Sequence, residues 1–432
     1  MNYYSTNKQS PLVDLQDAVV NGLAPDKGLY MPERIQRLPD SFFDTIAAKS
    51  FHEIADEVAV AFFGEDIDPR IVKALTEDTL SFDTPLVPAG DVYALELFHG
   101  PTLAFKDVGA RFMARVLQYF IERQGVDDVR ILVATSGDTG SAVANGFLGM
   151  EGIRVYVLYP KGKVSPIQEC QFTTLGKNIT ALEIDGTFDD CQALVKQAFL
   201  DPELTSRMQL TSANSINVAR FLPQAFYYFH AYAQWRRLGI EVDPVICVPS
   251  GNFGNLTAGL IAWRMGLPIK RFIAANNRND VFLEYLQTGV YAPRPSVQTL
   301  ANAMDVGNPS NFARILDLFN HDYRSITSII SGYSCSDEDI RETIKNCYET
   351  TGYLLDPHGA CGYAALRQGL RSGERGLFLE TAHPAKFKDT VEPIIGQNVE
   401  IPERLQAFMK GEKRSVALGK DFEGFKRFLS AD

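Results

Sequence analysis

Lys106 stands in Phe98-His-Gly-Pro-Thr-Leu-Ala-Phe-Lys-Asp107, an apolar stretch marked by glycine and proline that holds one lysine. Among Leu103, Ala104 and Phe105 an ammonium is poorly hydrated. Poor hydration disfavours the charged form and lowers a lysine pKa from its ordinary value of about 10.4. A neutral amine can form a Schiff base with an aldehyde cofactor such as pyridoxal phosphate. Taken alone, the segment reads better as a surface lysine whose stem lies along a buried turn. Two further segments reverse that preference.

Ser250-Gly-Asn-Phe-Gly-Asn255 follows an apolar strand and opens a helix expected over residues 256–265. Glycines there let backbone amides point inward, and a helix amino terminus adds positive potential, so a phosphate can be held without a lysine. Thr135-Ser-Gly-Asp-Thr-Gly140 is a second cup in the same setting. It suits a phosphate or an amino-acid carboxylate, through backbone amides and the hydroxyls of Ser136 and Thr139. Either loop alone is as readily an ordinary strand-to-helix turn. Two such loops with a buried lysine carry more than any one of them.

These residues need elements to hold them. Residues 1 to about 90 read as mixed structure, with helical stretches at 41–50 and Phe51–Phe63, and Pro85, Pro88 and Gly90 mark a boundary. Beyond it, apolar runs at Val129–Ala134, 154–159, 178–184, Val245–Pro249, 269–275 and Gly376–Glu380 alternate with helical patterns. Continuous apolar strands of this kind belong to parallel sheets covered on both faces, whose ligands sit outside the strands' carboxyl ends. The expectation is an α/β protein in three parts. Residues 1–90 form an amino-terminal mixed α+β domain. Residues 91–240 form a lobe with Lys106 and the 135–140 loop, and residues 241–432 a lobe with the 250–255 loop.

The composition excludes several alternatives. At 432 residues, 45% hydrophobic and 22% charged, the chain suits a soluble, enzyme-sized protein of two or three domains. Net charge is −11, with no stripe of lysine and arginine, so nucleic acid is not an expected partner. The six cysteines form no Cys-x-x-Cys pair and no zinc spacing, which predicts reduced core residues and no metal. The first residues, MNYYSTNKQS, hold no apolar signal region, and no run is apolar enough to span a membrane; the cytoplasm is expected. Gly-x-Gly-x-x-Gly after a strand, Gly-x-x-x-x-Gly-Lys-Ser/Thr and Gly-x-Ser-x-Gly are all missing, which disfavours nicotinamide binding, nucleotide hydrolysis and an esterase elbow. His99, His358 and His383 lie beside glycine or proline and read as packed loop histidines rather than metal ligands.

HGPTLAFKD, TSGDTGSA, PSGNFGN and ETAHPAKF, in that order and spacing, resemble the threonine synthase family of fold-type-II pyridoxal-phosphate enzymes. KGLYMP at Lys27–Pro32 and Asp356-Pro-His-Gly359 strengthen the likeness, which runs from about residue 1 to 400. The resemblance implies a fold like that of the tryptophan synthase β chain, with pyridoxal phosphate linked to Lys106. It implies that Gly251, Asn252, Phe253, Gly254 and Asn255 hold the cofactor phosphate and that Thr381 faces the pyridine nitrogen. A threonine hydroxyl can bond that nitrogen but will not protonate it, which suits elimination and replacement better than transamination. The implied reaction converts O-phospho-L-homoserine and water to L-threonine and phosphate, the last step of threonine biosynthesis. The freed amine of Lys106 takes the Cα proton and later moves the Cβ protons, phosphate leaves from Cγ, and water adds at Cβ. Ser136 and Thr139 would grip the substrate, with Arg111, Lys163 and Lys161 as candidates for its phosphate.

One residue departs from the pattern. Several fold-type-II relatives have an asparagine where this chain has Asp138, and there it bonds the cofactor's phenolic oxygen. Two anionic oxygens repel, so Asp138 is expected to be protonated, turned away or replaced in that role. Other readings are a fold-type-II dehydratase or cysteine synthase, which the long amino-terminal region and DPHG oppose, and a non-catalytic binder of phosphate esters, which the intact Lys106, SGNFGN and Thr381 oppose.

Overall fold

Two sheets carry the apolar runs, and the carboxyl ends of four of their strands meet at one cavity. The computed structural model describes residues 1–125 and 128–431. The larger sheet has the strand order Ile330–Ser334, Arg271–Asn276, Val245–Pro249, Gly376–Glu380, Val92–Glu96, Leu86–Ala89. Its neighbours are parallel except for the final hairpin, where Leu86 pairs with Leu95. The second sheet runs Val416–Leu418, Ile179–Ile184, Ile153–Pro160, Val129–Ala134, Gln209–Ser212, all parallel. Val129–Ala134, Val245–Pro249 and Gly376–Glu380 are buried at every position, as sheets with both faces covered require.

Every strand expected from sequence is present, with ends moved by at most two residues. Phe51–Phe63 is a helix whose capping box joins Ser50 to Glu53 and whose inner face buries Ile54, Val58, Phe62 and Phe63. The stretch 41–50 is not one helix. It is a short helix, Asp40–Thr45, and a 3-10 turn, Ile46–Ala48, because Ser50 is committed to capping the helix that follows. The helix expected at 256–265 begins earlier and spans Gly254–Arg264.

The sheets cut across the three segments drawn from the sequence. Leu86–Ala89 and Val92–Glu96 complete the sheet of the later half of the chain, and Val416–Leu418 returns to the edge of the sheet built from residues 129–212. The first residues share a core with the rest. Tyr3, Leu15 and Phe63 belong to the same buried cluster as Phe112 and Phe226, and the Phe63 and Phe112 rings lie 5.0 Å apart. All six cysteines are unpaired, and no helix among the described residues is long and apolar enough to cross a membrane.

Candidate active site

Lys106 opens the helix Lys106–Gln124 at the end of a tight turn. Leu103 takes a left-handed conformation, φ 57°, that a branched side chain adopts only when its surroundings hold it there. The clamp is Asp107, whose carboxylate accepts from the Thr102 amide at 2.9 Å and the Thr102 hydroxyl at 2.6 Å. A Cβ on Gly100 would lie 2.4 Å from the same carboxylate, so only glycine fits beneath it. Strand Gly376–Glu380 pairs in parallel with Val92–Glu96, so the segments leaving both strands emerge side by side. They stay laced together. The Phe105 amide donates to the Thr381 carbonyl at 2.9 Å, Ala104 and Ala382 form a bridge, and the His383 amide donates to the Leu103 carbonyl at 3.1 Å.

The charges around Lys106 are buried and mixed. Burial lowers its pKa to about 8; Asp138 opposes that shift, while Arg220 and Lys386 add to it. Its side chain is half-buried, with one side bordering the cavity. Burial alone would raise the Asp138 pKa, but the cations of Lys386 and Lys106, with bonds from Lys386 and Gln168, outweigh it and hold the carboxyl down at about 2. Lys386 Nζ is 2.5 Å from Asp138 Oδ1, and Gln168 Nε2 donates to the same oxygen at 2.9 Å. Asp138 is therefore ionised rather than protonated, and it is satisfied by a lysine on the 3-10 turn Pro384–Phe387.

The 250–255 loop turns through a single left-handed residue. Its left-handed residue is Phe253, φ 62°, and not a glycine. The glycines serve close approach. A Cβ on Gly251 would lie 2.7 Å from Met304 Cα, and one on Gly254 would lie 3.1 Å from Ser215 Cβ. Asn252 braces the loop, donating to Ser215 Oγ and accepting from the Ser310 amide, both at 2.7 Å. Asn255 Oδ1 accepts from the Tyr228 hydroxyl at 2.7 Å, which leaves Asn255 Nδ2 buried without a protein partner. An orphaned donor at the start of the helix Gly254–Arg264 calls for an anion. In the other loop, Gly137 has φ 144°, and Thr135 Oγ1 folds the turn by accepting from the amides of Gly137 and Gly140 at 2.9 and 2.8 Å.

One cavity of about 470 Å³ is lined by Lys106, Ser136, Thr139, Gly251, Asn252, Phe253, Gly254, Asn255 and Thr381. Nine of the residues singled out from sequence thus converge. Arg111 and Lys163 do not join them. The Arg111 guanidinium donates to the carbonyls of Thr79, at 2.9 Å, and Asp78, at 2.6 Å. Lys161 and Lys163 are exposed in the turn after Ile153–Pro160. The cations that do line the cavity are Lys106, Lys196, Arg220 and Arg294, the last already paired with Asp280 and Glu284. Ser215 and Arg220 escaped the sequence reading because the strand before them, Gln-Leu-Thr-Ser, is short and half polar. Lys386 carried a usable signal: like Lys106, it is a single lysine in an apolar run, Pro384-Ala-Lys-Phe387.

A lysine at the mouth of an anion-seeking loop, in a cavity at the carboxyl ends of strands from two sheets, fits pyridoxal phosphate, and residues 79–381 match the family model described as pyridoxal-phosphate dependent enzyme. This is a fold-type-II enzyme of that cofactor. Models for the threonine synthase N terminus and for the threonine synthase C-terminal region match residues 2–80 and 359–429. Threonine synthase of Haemophilus influenzae is 44% identical over 430 residues, 99% of each chain. The crystal structure of threonine synthase from Escherichia coli matches with a TM-score of 0.93 at 42% identity, covering 100% of both chains. That of PLP-bound threonine synthase from Brucella melitensis matches with a TM-score of 0.92 at 34% identity, covering 100% and 99%. The chain belongs to the threonine synthase family, and its activity is that of a threonine synthase, a pyridoxal-phosphate-dependent lyase.

Proposed function

We propose that this cavity converts O-phospho-L-homoserine and water to L-threonine and phosphate, as the last step of threonine biosynthesis in the cytoplasm. The observation that supports the reading is the lacing of Phe105 to Thr381, which joins the segments that bring Lys106 and Thr381 to one cavity. Pyridoxal phosphate, when bound, supplies the electron sink that makes protons on the substrate's carbons removable. The chain's own residues do the rest. The amides of 251–255 and Asn255 Nδ2 hold the cofactor phosphate at the helix amino terminus. Thr381 offers a neutral hydroxyl to the pyridine nitrogen. Lys106, with its pKa drawn down to about 8, is poised to give and take protons near neutral pH. Ser136 and Thr139 bind the amino-acid end of the substrate. Lys196 and Arg220, rather than Arg111 and Lys163, offer positive charge to its phosphate.

The test is substrate choice. The purified protein should release phosphate and form threonine from O-phosphohomoserine, and should deaminate serine and threonine far more slowly. Rapid keto-acid formation from serine or threonine, with no phosphate release, would point to a dehydratase instead. Borohydride reduction should fix the cofactor on the peptide that holds Phe105 and Asp107, and Lys106→Ala should lose nearly all turnover.

A further inference from the structure

Lys386 is fully buried and forms no part of the cavity wall, yet it is one of the cations nearest the chemistry. Its ammonium lies 2.5 Å from Asp138 Oδ1 and donates to the Thr102 carbonyl at 2.9 Å. Gln168 Nε2 completes the ring of donors at 2.9 Å. Asp138, 4% exposed, lines the cavity together with Lys106. The carboxylate thus has two claimants, Lys386 behind the wall and Lys106 in front of it. Two further charges flank the Lys106 turn. Arg220 faces Lys106 from the short helix Val218–Phe221 and bonds its carbonyl at 3.3 Å, and Asp107 is bound by Thr102.

A buried carboxylate whose sole cationic partner was Lys106 would hold that side chain as an ammonium. An ammonium has no lone pair and cannot attack an aldehyde. We propose that Lys386 is a positioning residue. By pairing with Asp138 from behind the cavity wall, it frees the Lys106 nitrogen to carry the cofactor without its proton being locked there by the carboxylate. Attack by the neutral amine makes the carbon–nitrogen double bond, and the aldehyde oxygen leaves as water. The inference rests on Lys106 being the cofactor lysine. It adds a second lysine that never touches the cofactor and sets the charge the first one feels.

The experiment is a pH titration of the cofactor's visible absorbance in the full-length, cofactor-loaded protein, which reads protonation at the Lys106–cofactor link. It is accompanied by thermal melting and a peptide map after borohydride reduction. Lys386→Met should move the titration midpoint up by about one to three pH units, the range a nearby uncompensated opposite charge produces. Lys386→Arg should keep the midpoint near that of the unmodified protein. Asp138→Asn should move it down, and the double variant Asp138→Asn with Lys386→Met should return it. A lysine that served packing alone would lower the melting temperature and leave the midpoint in place. Where Lys386→Met does not fold, Asp138→Asn and Lys386→Arg decide. A midpoint that stays fixed in Asp138→Asn, or in a folded Lys386→Met, overturns the inference. Cofactor fixed on a lysine other than Lys106 overturns the lysine assignment beneath it.

Discussion

His358 Nε2 accepts the backbone N–H of Ala303 at 3.1 Å, while its Nδ1 lies 2.5 Å from the Asp356 carboxylate. Accepting on Nε2 places the ring proton on Nδ1, so the imidazole is neutral and points its basic nitrogen at the turn that packs over Gly251. His358→Leu should leave the Ala303 amide without an acceptor, at about 1–3 kcal/mol, and strip the imidazole donor from the Asp356 carboxylate, which keeps the amides of residues 358 and 359. The expected result is a lower melting temperature and faster cofactor loss on dialysis. His358→Gln retains an acceptor and should recover part of both. Unchanged cofactor loss in His358→Leu would mean that the 302–304 turn does not support the cofactor loop.

Thr381→Asp should disturb electronics more than fold. A carboxylic acid facing the pyridine nitrogen favours its protonated form. The visible spectrum should change, threonine should form more slowly, and abortive side products should rise. If spectrum and product partition both stay the same, Thr381 is not at that nitrogen.

The two loops should separate under mutation. A methyl on Gly251 would meet Met304 Cα at 2.7 Å and the Ala303 carbonyl at 3.0 Å, so Gly251→Ala must push the turn away and weaken cofactor retention. Gly254→Val should do the same through Ser215. Thr139→Val removes one hydroxyl from the cavity wall and should leave cofactor content normal. Losing a hydrogen bond to a charged substrate group costs about 1.5–3 kcal/mol, roughly a ten- to hundredfold loss of kcat/KM. The reverse pattern, with Thr139→Val shedding cofactor and the glycine variants keeping it, would exchange the roles of the loops.

Uptake of pyridoxal phosphate by the cofactor-free protein should follow the neutral fraction of Lys106. Its folded pKa, about 8, lies below the ordinary value, so the charged form is the disfavoured one in the fold. The cost of burying it is present below about pH 8 and is relieved as pH rises from there toward the unfolded value of roughly 10.4. The rate of cofactor capture should climb about tenfold per pH unit up to pH 8 and then level off. A rate that keeps climbing to pH 10 would show an unperturbed lysine.

Much of this was legible in the chain because strand ends announce themselves. The apolar runs before Thr135, Ser250 and Thr381 are long enough to read, and the loops after them hold the converging residues. Lys106 was legible for the same reason, as a charge with nowhere polar to sit. What escaped depends on partners distant in sequence. Lys386 meets Asp138 across roughly 250 residues of chain. Arg111 looked available until its guanidinium was found bonded to the carbonyls of Asp78 and Thr79, a backbone contact that no spacing rule encodes. The left-handed residue of the 250–255 loop is Phe253, where residue preference would have chosen glycine; packing of its ring 4.6 Å from that of Phe282 overrides the preference.

Strand Gly376–Glu380 sits between Val245–Pro249 and Val92–Glu96. During synthesis, the hairpin of residues 86–96 emerges early and finds one of its edges without a neighbour until nearly nine-tenths of the polypeptide has left the ribosome. Long-range parallel pairing of this kind is slow to form. The turn that carries Lys106 can meet Gln171 and Arg220 before then but lacks its bonds to Thr381, Ala382 and His383, so a nascent or truncated chain ending short of residue 380 holds the lysine on one side only.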